Sequence, residues 1–185
     1  PYTTTVNIAP QRSGWLDPGS RDFARYAPRG WAGCVEARAA MSGTADLAIV
    51  ATKAPDLVPA LEQNRNLRAR RWLIVRNGIG GRDEALRALH PAEGVEVLGG
   101  LAVFAASMPA PAEAVVTAAA PLYLGGPGAD VLARELADAL PARALKDLES
   151  AEWTKLIVNQ VNALPAITGL SVQETIADRR LRRVL

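Results

Sequence analysis

Three side chains near the end of the chain have the types and the spacing to transfer a proton and to bind a small ligand. Lys155, Asn159 and Asn162 lie at positions i, i+4 and i+7 of the stretch EWTKLIVNQVNALPAITG. In a helix, at about 100° per residue, they fall within roughly 60° of one another, opposite an apolar face. A solvated polar stripe is the alternative interpretation, although asparagine is a mediocre helix former with no reason to recur there.

Lysine is scarce in this sequence, so each lysine is informative. The chain has 21 basic residues, and only Lys53, Lys146 and Lys155 among them are lysines. A lysine can lose its proton in a desolvated cleft, whereas the guanidinium of arginine keeps its charge. Lys155 is therefore the first candidate for a catalytic role.

Further candidates follow two apolar runs that have the length of buried strands. Residues 45–52, ADLAIVAT, end at Lys53, and residues 72–75 run into the turn of Asn77 and Gly78. Ligands of parallel α/β sheets bind at the carboxyl ends of the strands, where a lysine reaches phosphate or ribose and an Asn-Gly turn lets backbone approach a flat ring. Each residue also has a plain structural explanation, because a strand-ending lysine often extends into solvent and Asn-Gly is a turn signal.

The pattern of elements predicts an α/β fold with a doubly wound sheet, followed by the start of an all-α domain. The order strand, helix, strand, helix over 45–89 implies parallel strands joined by right-handed crossovers. Beyond residue 95, three apolar runs without long helices between them predict a strand followed by a hairpin-like pair. The predicted strands are 3–8, 35–40, 45–52, 72–75, 95–107, 114–119, 122–125 and 142–145, with a surface segment over 9–33; the predicted helices are 55–63, 83–89, 129–140, one capped by Ser150 and closed by Pro165 and Gly169, and 173–184.

Composition and the rare residues argue against several classes of protein. The sequence is 49% hydrophobic and 22% charged with a net charge of +2, as in soluble globular proteins. Because no apolar run reaches the roughly 18 residues of a membrane span, we expect a cytoplasmic protein that does not bind a membrane. The arginines at 179–183 lack interleaved aromatic residues and indicate helix surface rather than a nucleic-acid site. With Cys34 and His90 as the sole cysteine and histidine, no disulfide scaffold or metal site is expected.

Taken in order, these motifs resemble the ketopantoate reductase family, the 2-dehydropantoate 2-reductases. The matching segments are ATKAPD, RNGIGG, LGGLAVFAASM, VVTAAAPLYLGG and EWTKLIVNQVNALPAITGLSV, within residues 45–185. The most specific part is W-x-K-L-x-x-N followed by T-G. The resemblance implies a Rossmann-like domain that binds NADPH, a C-terminal helical domain, and an active site in the cleft between them.

The resemblance also implies roles for individual residues. Lys155 matches the catalytic lysine, which donates a proton to the substrate oxygen as hydride arrives from the nicotinamide, and Asn159 matches an asparagine that holds the substrate. Lys53, Asn77 and Gly78 match residues near the dinucleotide. These roles make physical sense, because reducing a 2-keto group builds negative charge on its oxygen, and a nearby ammonium stabilises that charge and supplies the proton.

The sequence departs from the family pattern in three places. The nucleotide-binding fingerprint G-x-G-x-x-G is absent, and we expect it to precede Pro1 in a longer polypeptide. The helical domain is likewise expected to continue past Leu185. The family's second asparagine, directly before a proline, corresponds to Ala163. Asn162 stands one residue earlier, which rotates its amide by about 100°, and we assign it to the binding of a substrate that can differ from ketopantoate.

The sequence therefore predicts an NADPH-dependent reductase of a 2-keto acid, either 2-dehydropantoate, as in pantothenate biosynthesis, or a close analogue. Residues 1–147 are expected to form an incomplete NADP-binding Rossmann-like domain. Residues 148–185 are expected to begin the helical domain for substrate binding and dimerisation, with a homodimer as the assembly. Two alternatives stay open. One is a reductase on the same scaffold acting on an imine or a natural-product carbonyl, and the other is a non-catalytic module for dinucleotide binding or dimerisation.

Overall fold

The structure is a computed structural model that describes residues 5–7, 36–38, 40–110, 113–137 and 140–184. The predicted surface segment over 9–33 lies outside these ranges. The strands are Thr5–Asn7 (β1), Glu36–Arg38 (β2), Gly43–Val50 (β3), Leu67–Val75 (β4), Glu96–Ala102 (β5), Ala105–Ala110 (β6), Glu113–Ala118 (β7), Leu122–Gly125 (β8) and Ala142–Ala144 (β9). The α-helices are Leu57–Gln63 (α1), Gly81–Leu89 (α2), Ala129–Leu136 (α3), Leu148–Asn159 (α4), Ala163–Thr168 (α5) and Val172–Ala177 (α6).

The central sheet has five strands in the order β3-β4-β5-β8-β9. Its first three strands are parallel, and α1 and α2 connect them, which confirms the prediction of parallel strands with helical crossovers. The short strands β1 and β2 form a separate parallel pair. The mixed sheet with helices on both faces is the predicted α/β architecture.

The strand β4 begins five residues earlier than predicted, at Leu67 rather than at residue 72. Its first half alternates buried and exposed residues, and arginines occupy the exposed positions 68 and 70, so a search for apolar runs misses it. Arg71 is the buried exception. Its guanidinium forms an ion pair with Glu135 of α3 at 2.6 Å, which compensates the burial of the charge.

The region after β5 differs from its prediction. The predicted strand over 95–107 breaks after Ala102, and the hairpin forms between β6 and β7 instead of between 114–119 and 122–125. The strand β8 returns to the central sheet, antiparallel to β5 and parallel to β9. Burial explains this choice, because Leu122 and Leu124 join the core beside Leu98, where they are removed from water.

Helices cover both faces of the central sheet. Successive residues of a strand point to opposite faces, and β4 accordingly sends Trp72 and Ile74 toward α1 and α2 and Leu73 toward α3. Two apolar clusters result, one on each face. The first comprises Leu57, Leu61, Leu67, Ala69, Trp72, Ile74, Ala85 and Val97, and the second comprises Leu73, Leu98, Leu122, Leu124, Ala129, Leu132 and Ala133.

The C-terminal helices are shorter than predicted. A 3-10 turn at Gln160–Asn162 separates α4 from α5, and α5 ends at Gly169 in the left-handed conformation, as predicted. The helix predicted over 173–184 ends at Ala177, because the carboxylate of Asp178 accepts hydrogen bonds from the N–H groups of the following turn. No helix in the described part of the chain is long and apolar enough to cross a bilayer.

A pair of glycines lets α4 approach the sheet closely. Gly99 of β5 and Gly125 of β8 face each other across the two strands, and Leu148, the first residue of α4, lies over both. A Cβ atom would lie 2.4 Å from the Leu148 side chain at position 99 and 2.5 Å from it at position 125. Both distances are shorter than ordinary Cβ contacts, so any side chain at these positions would displace Leu148: its Cδ2 atom from position 99 and its Cβ atom from position 125.

We predict that Gly99→Ala destabilises the fold by about 1–3 kcal/mol, because the added methyl group would lie 2.4 Å from the Cδ2 atom of Leu148 and overpacks its seat. Leu148→Ala removes the clashing side chain, so the double variant should lose less stability than the two single variants added together. Urea unfolding of the four proteins measures this coupling free energy. Strict additivity would mean that the two positions do not compete for the same space.

Candidate active site

The helix α4 begins at a cap that the sequence prediction placed wrongly. The cap is Asp147, not Ser150, which lies at the third helical position. Asp147 accepts hydrogen bonds from the Ser150 N–H at 2.9 Å and from the Ser150 hydroxyl at 2.6 Å, and these two bonds lower the pKa of its carboxyl group. The cap thus fixes the start of the helix that carries the candidate lysine.

Lys155 lies where two parallel strands of the sheet end. Its ammonium donates a hydrogen bond to Oδ1 of Asn77, just after β4, at 2.7 Å. It donates a second hydrogen bond to the carbonyl oxygen of Ala102, the last residue of β5. The structure therefore brings two of the predicted site residues, Lys155 and Asn77, into direct contact although 78 positions separate them in the chain.

The environment of Lys155 favours loss of its proton. The side chain is half-buried, and this burial lowers its pKa from the ordinary lysine value of 10.5. Asn77 and Ala102 offer neutral oxygen atoms, so neither brings a negative charge to hold the proton as a carboxylate would. Among these partners Lys155 is a cation whose proton is transferred more easily than that of a solvent-exposed lysine.

The 76–80 loop, which joins β4 to α2, is held from within by Arg76. Its guanidinium donates to the carbonyl oxygen of Ile79 at 2.9 Å and pairs with Glu84 of α2 at 2.7 Å. Gly78 and Gly80 have φ angles of +92° and +73°, a conformation that other residues rarely adopt. Among the described residues, a Cβ atom on either glycine would meet nothing within 4 Å, so no described residue covers this side of the loop.

Glu152 is a site residue that the sequence prediction missed. It lies one helical turn before Lys155 on α4, and its Oε2 atom accepts a hydrogen bond from the N–H of Gly80 at 3.1 Å. Burial raises the pKa of its carboxyl group. Its i, i+3 spacing from Lys155 is the sequence signal that points to it. The Ala102 carbonyl was also missed, and no side-chain pattern could have found it, since it is a backbone atom.

The predicted substrate asparagines lie farther along the same helix. Asn159 is half-buried at the end of α4, and Asn162 is exposed at the end of the 3-10 turn. From the rises of the two helix types, Asn162 lies about 12 Å along the axis from Lys155, compared with about 6 Å for Asn159. No hydrogen bond within the described ranges joins either amide to Lys155.

The remaining predicted residue, Lys53, follows β3 at the same edge of the sheet. It is exposed, and it precedes the 3-10 turn Ala54–Asp56. In the part of the chain that the structure describes, no hydrogen bond connects it to Lys155 or Asn77. Beside it, the hydroxyl of Thr52 is buried without a hydrogen-bond partner among the described residues, which makes it a group that a ligand can satisfy.

Comparisons with known proteins identify relatives of this chain. The family model described as Ketopantoate reductase PanE/ApbA matches residues 28–128. Among solved structures, a 2-dehydropantoate 2-reductase from Geobacter metallireducens GS-15 is 28% identical, with a TM-score of 0.70 over 80% of this chain and 52% of that one. A PanE/ApbA family ketopantoate reductase from Ralstonia eutropha JMP134 is 25% identical, with a TM-score of 0.68 over 81% of this chain and 51% of that one.

A third similar structure has another name. It is a D-mandelate dehydrogenase with NADH and anilino(oxo)acetate, 24% identical, with a TM-score of 0.64 over 76% of this chain and 47% of that one, and this likeness shows a shared fold. No match was found among curated protein sequences. The chain spans about half the length of the solved structures that it matches.

We predict that Asn77→Asp raises the pKa of Lys155, because a carboxylate beside the ammonium stabilises the charged form. The chain has only three lysines, so NMR titration of labelled lysine side chains can follow each one. The matched control is Asn66→Asp, in an exposed turn before β4, which should leave Lys155 unchanged. Equal titration of Lys155 in both variants would show that position 77 does not contact it in solution.

Proposed function

The chain belongs to the PanE/ApbA ketopantoate reductase family, and from this premise we propose that its protein reduces a 2-keto acid with a nicotinamide dinucleotide. The substrate is 2-dehydropantoate, which would yield pantoate, or a close analogue. One observation carries the proposal: Lys155 donates to Asn77 and to the Ala102 carbonyl at the carboxyl ends of adjacent parallel strands. Ligands of such sheets bind at this edge.

In the proposed reaction a bound, reduced nicotinamide would supply the hydride for the keto carbon. Lys155 supplies the proton: its N–H bond breaks as the keto oxygen becomes a hydroxyl, and the amine then recovers a proton from solvent. Before that, the ammonium stabilises the negative charge that develops on the oxygen. The Asn77 and Ala102 oxygens keep the ammonium at the strand ends, where the incoming keto group replaces one of them as hydrogen-bond acceptor.

The residues at the sheet edge fit the binding of a dinucleotide. No described residue lies within 4 Å of a Cβ atom built on Gly78, so a flat ring can approach the backbone of the 76–80 loop closely there. The Thr52 hydroxyl has no partner among the described residues, and the exposed Lys53 beside it can reach phosphate or ribose. We assign Lys53, Asn77 and Gly78 to the cofactor, and we propose NADPH. NADH is the alternative, because the similar D-mandelate dehydrogenase was solved with NADH.

Asn159 and Asn162 are assigned to the substrate. Asn159 follows Lys155 by one helical turn and can donate its amide N–H to a substrate carboxylate or hydroxyl without adding charge. In this proposal residues 1–147 form the cofactor domain and residues 148–185 begin the helical domain for the substrate and for homodimer formation, in a cytoplasmic enzyme.

A second candidate is a reductase of the same scaffold with another substrate, such as a different keto acid, an imine or a natural-product carbonyl. The position of Asn162 favours this second candidate. Asn162 is exposed on a 3-10 turn, and it is displaced by one residue from the family's asparagine, which stands directly before a proline. A substrate panel that follows NADPH and NADH oxidation separates the candidates. Efficient turnover of 2-dehydropantoate would exclude the second one, and absence of binding to either cofactor would favour a module without catalysis.

We predict that Lys155→Ala lowers kcat by about 10²–10⁴-fold, the range that a positioned proton donor contributes. The matched control is Lys146→Ala, an exposed lysine before the cap of α4, which should keep the wild-type rate. Steady-state oxidation of NADPH in the complete enzyme measures both. Near-normal kcat in the Lys155 variant would remove this residue from the mechanism.

The pH dependence of the two reaction directions should be opposite. Reduction needs the protonated lysine, so its kcat should fall as pH rises through the lowered pKa of Lys155, at a pH below 10.5. Oxidation of the hydroxy acid needs the neutral amine and should speed up over the same range. Initial rates in both directions from pH 6 to 11 test this. If kcat for reduction falls at the same alkaline pH in the wild-type and Asn77→Asp proteins, the group that titrates is not Lys155.

A further inference from the structure

The helix α4 is attached to the 76–80 loop at two points. Lys155 donates to Asn77 at the start of the loop at 2.7 Å, and Glu152 accepts from the N–H of Gly80 at its end at 3.1 Å. The two side chains are three residues apart, so they project from one face of the helix. One face of α4 thus contacts both ends of one loop.

The other attachments of the loop lie on its inner side. Arg76 contacts the carbonyl of Ile79 and the carboxylate of Glu84. Gly81 packs directly on Arg76, since a Cβ atom there would lie 2.6 Å from its Nε atom. These contacts hold the loop on β4 and α2. Among the described residues, the hydrogen bonds between the loop and the lysine-bearing helix are instead those of Glu152 and Lys155.

The surroundings of Glu152 suit a fixed hydrogen-bond acceptor. Burial raises the pKa of its carboxyl group, while the Gly80 N–H and the nearby Arg76 guanidinium lower it, and Asp83 and Glu149 raise it further. Gly80 is the N-cap of α2, so the carboxylate also lies at the positive end of that helix dipole. A half-buried carboxylate in this position has a partner for its charge.

We propose that Glu152 is a positioning residue that ties the helix bearing the proton donor to the loop bearing the cofactor-binding residues. This inference rests on the proposed function, in which Lys155 acts on a substrate held against a nicotinamide ring near Asn77 and Gly78. Because proton and hydride reach neighbouring atoms of the substrate, a change in the distance between helix and loop misaligns the two transfers. Misplacement by about 1 Å can cost up to about 100-fold in rate.

The test compares three variants of the complete enzyme. Glu152→Ala should lower kcat about tenfold or more with a smaller change in the KM for the keto acid, because it disturbs alignment more than binding. Glu152→Gln keeps an oxygen that can accept from Gly80 and should recover most of the rate. Glu149→Ala, an exposed glutamate one turn earlier, is the matched control and should behave as wild type.

Hydrogen exchange of the Gly80 amide gives a measurement that does not depend on turnover. Glu152→Ala should speed this exchange at least several-fold, whereas Glu152→Gln and Glu149→Ala should not. If the wild-type enzyme reduces no 2-keto acid with NADPH or NADH, the proposed function fails, and amide exchange still decides whether Glu152 holds the loop. Unchanged exchange in Glu152→Ala overturns the inference, as does a rate loss that Glu152→Gln does not recover.

Discussion

The seat of Leu148 on the Gly99–Gly125 pair is the constraint on which the site depends. It sets the distance between the first turn of α4 and the sheet, because backbone without side chains lies beneath that leucine. Lys155 follows about 10 Å farther along the helix axis, so its ammonium arrives at the ends of β4 and β5 only if the first turn is correctly placed. The Asp147 cap holds the helix start in the same place. Packing by a leucine, a purely apolar contact, therefore positions a charged group.

The charged groups of the site work against folding. The lowered pKa of Lys155 means that the folded chain binds this proton more weakly than the unfolded chain, so at neutral pH the charged lysine costs stability. Glu152 has the opposite shift, a raised pKa, and its ionised form likewise costs stability above that pKa. Both penalties come from burial. The core clusters on the two sheet faces must offset them, which is the usual relation between a reactive site and its scaffold.

The sequence allowed prediction of those parts that local pattern determines. The parallel strands and their helices follow from apolar runs and turn residues. Asn77 was predictable as a residue that follows a strand, and Lys155 as a rare lysine on a polar helix face, and the two are in contact. The return of β8 to the sheet was not predictable in this way, because a hairpin with the preceding run satisfies the same local pattern and only burial beside Leu98 decides between them. The early start of β4 was missed for a related reason. Arg71 interrupts the apolar pattern, and its burial in the strand is compensated by an ion pair with Glu135, 64 positions away. Glu152 gains its role only when the 76–80 loop lies against α4.

The 3-10 turn between α4 and α5 changes both the position and the direction of the Asn162 side chain relative to a continuous α-helix. Over three residues a 3-10 segment advances about 1.5 Å more than an α-helix and brings its third residue into line with the one before the turn. That advance equals about one carbon–carbon bond length. The 3-10 winding at Gln160–Asn162 therefore places the amides of Asn159 and Asn162 on one side of the helix, about 6 Å apart along its axis.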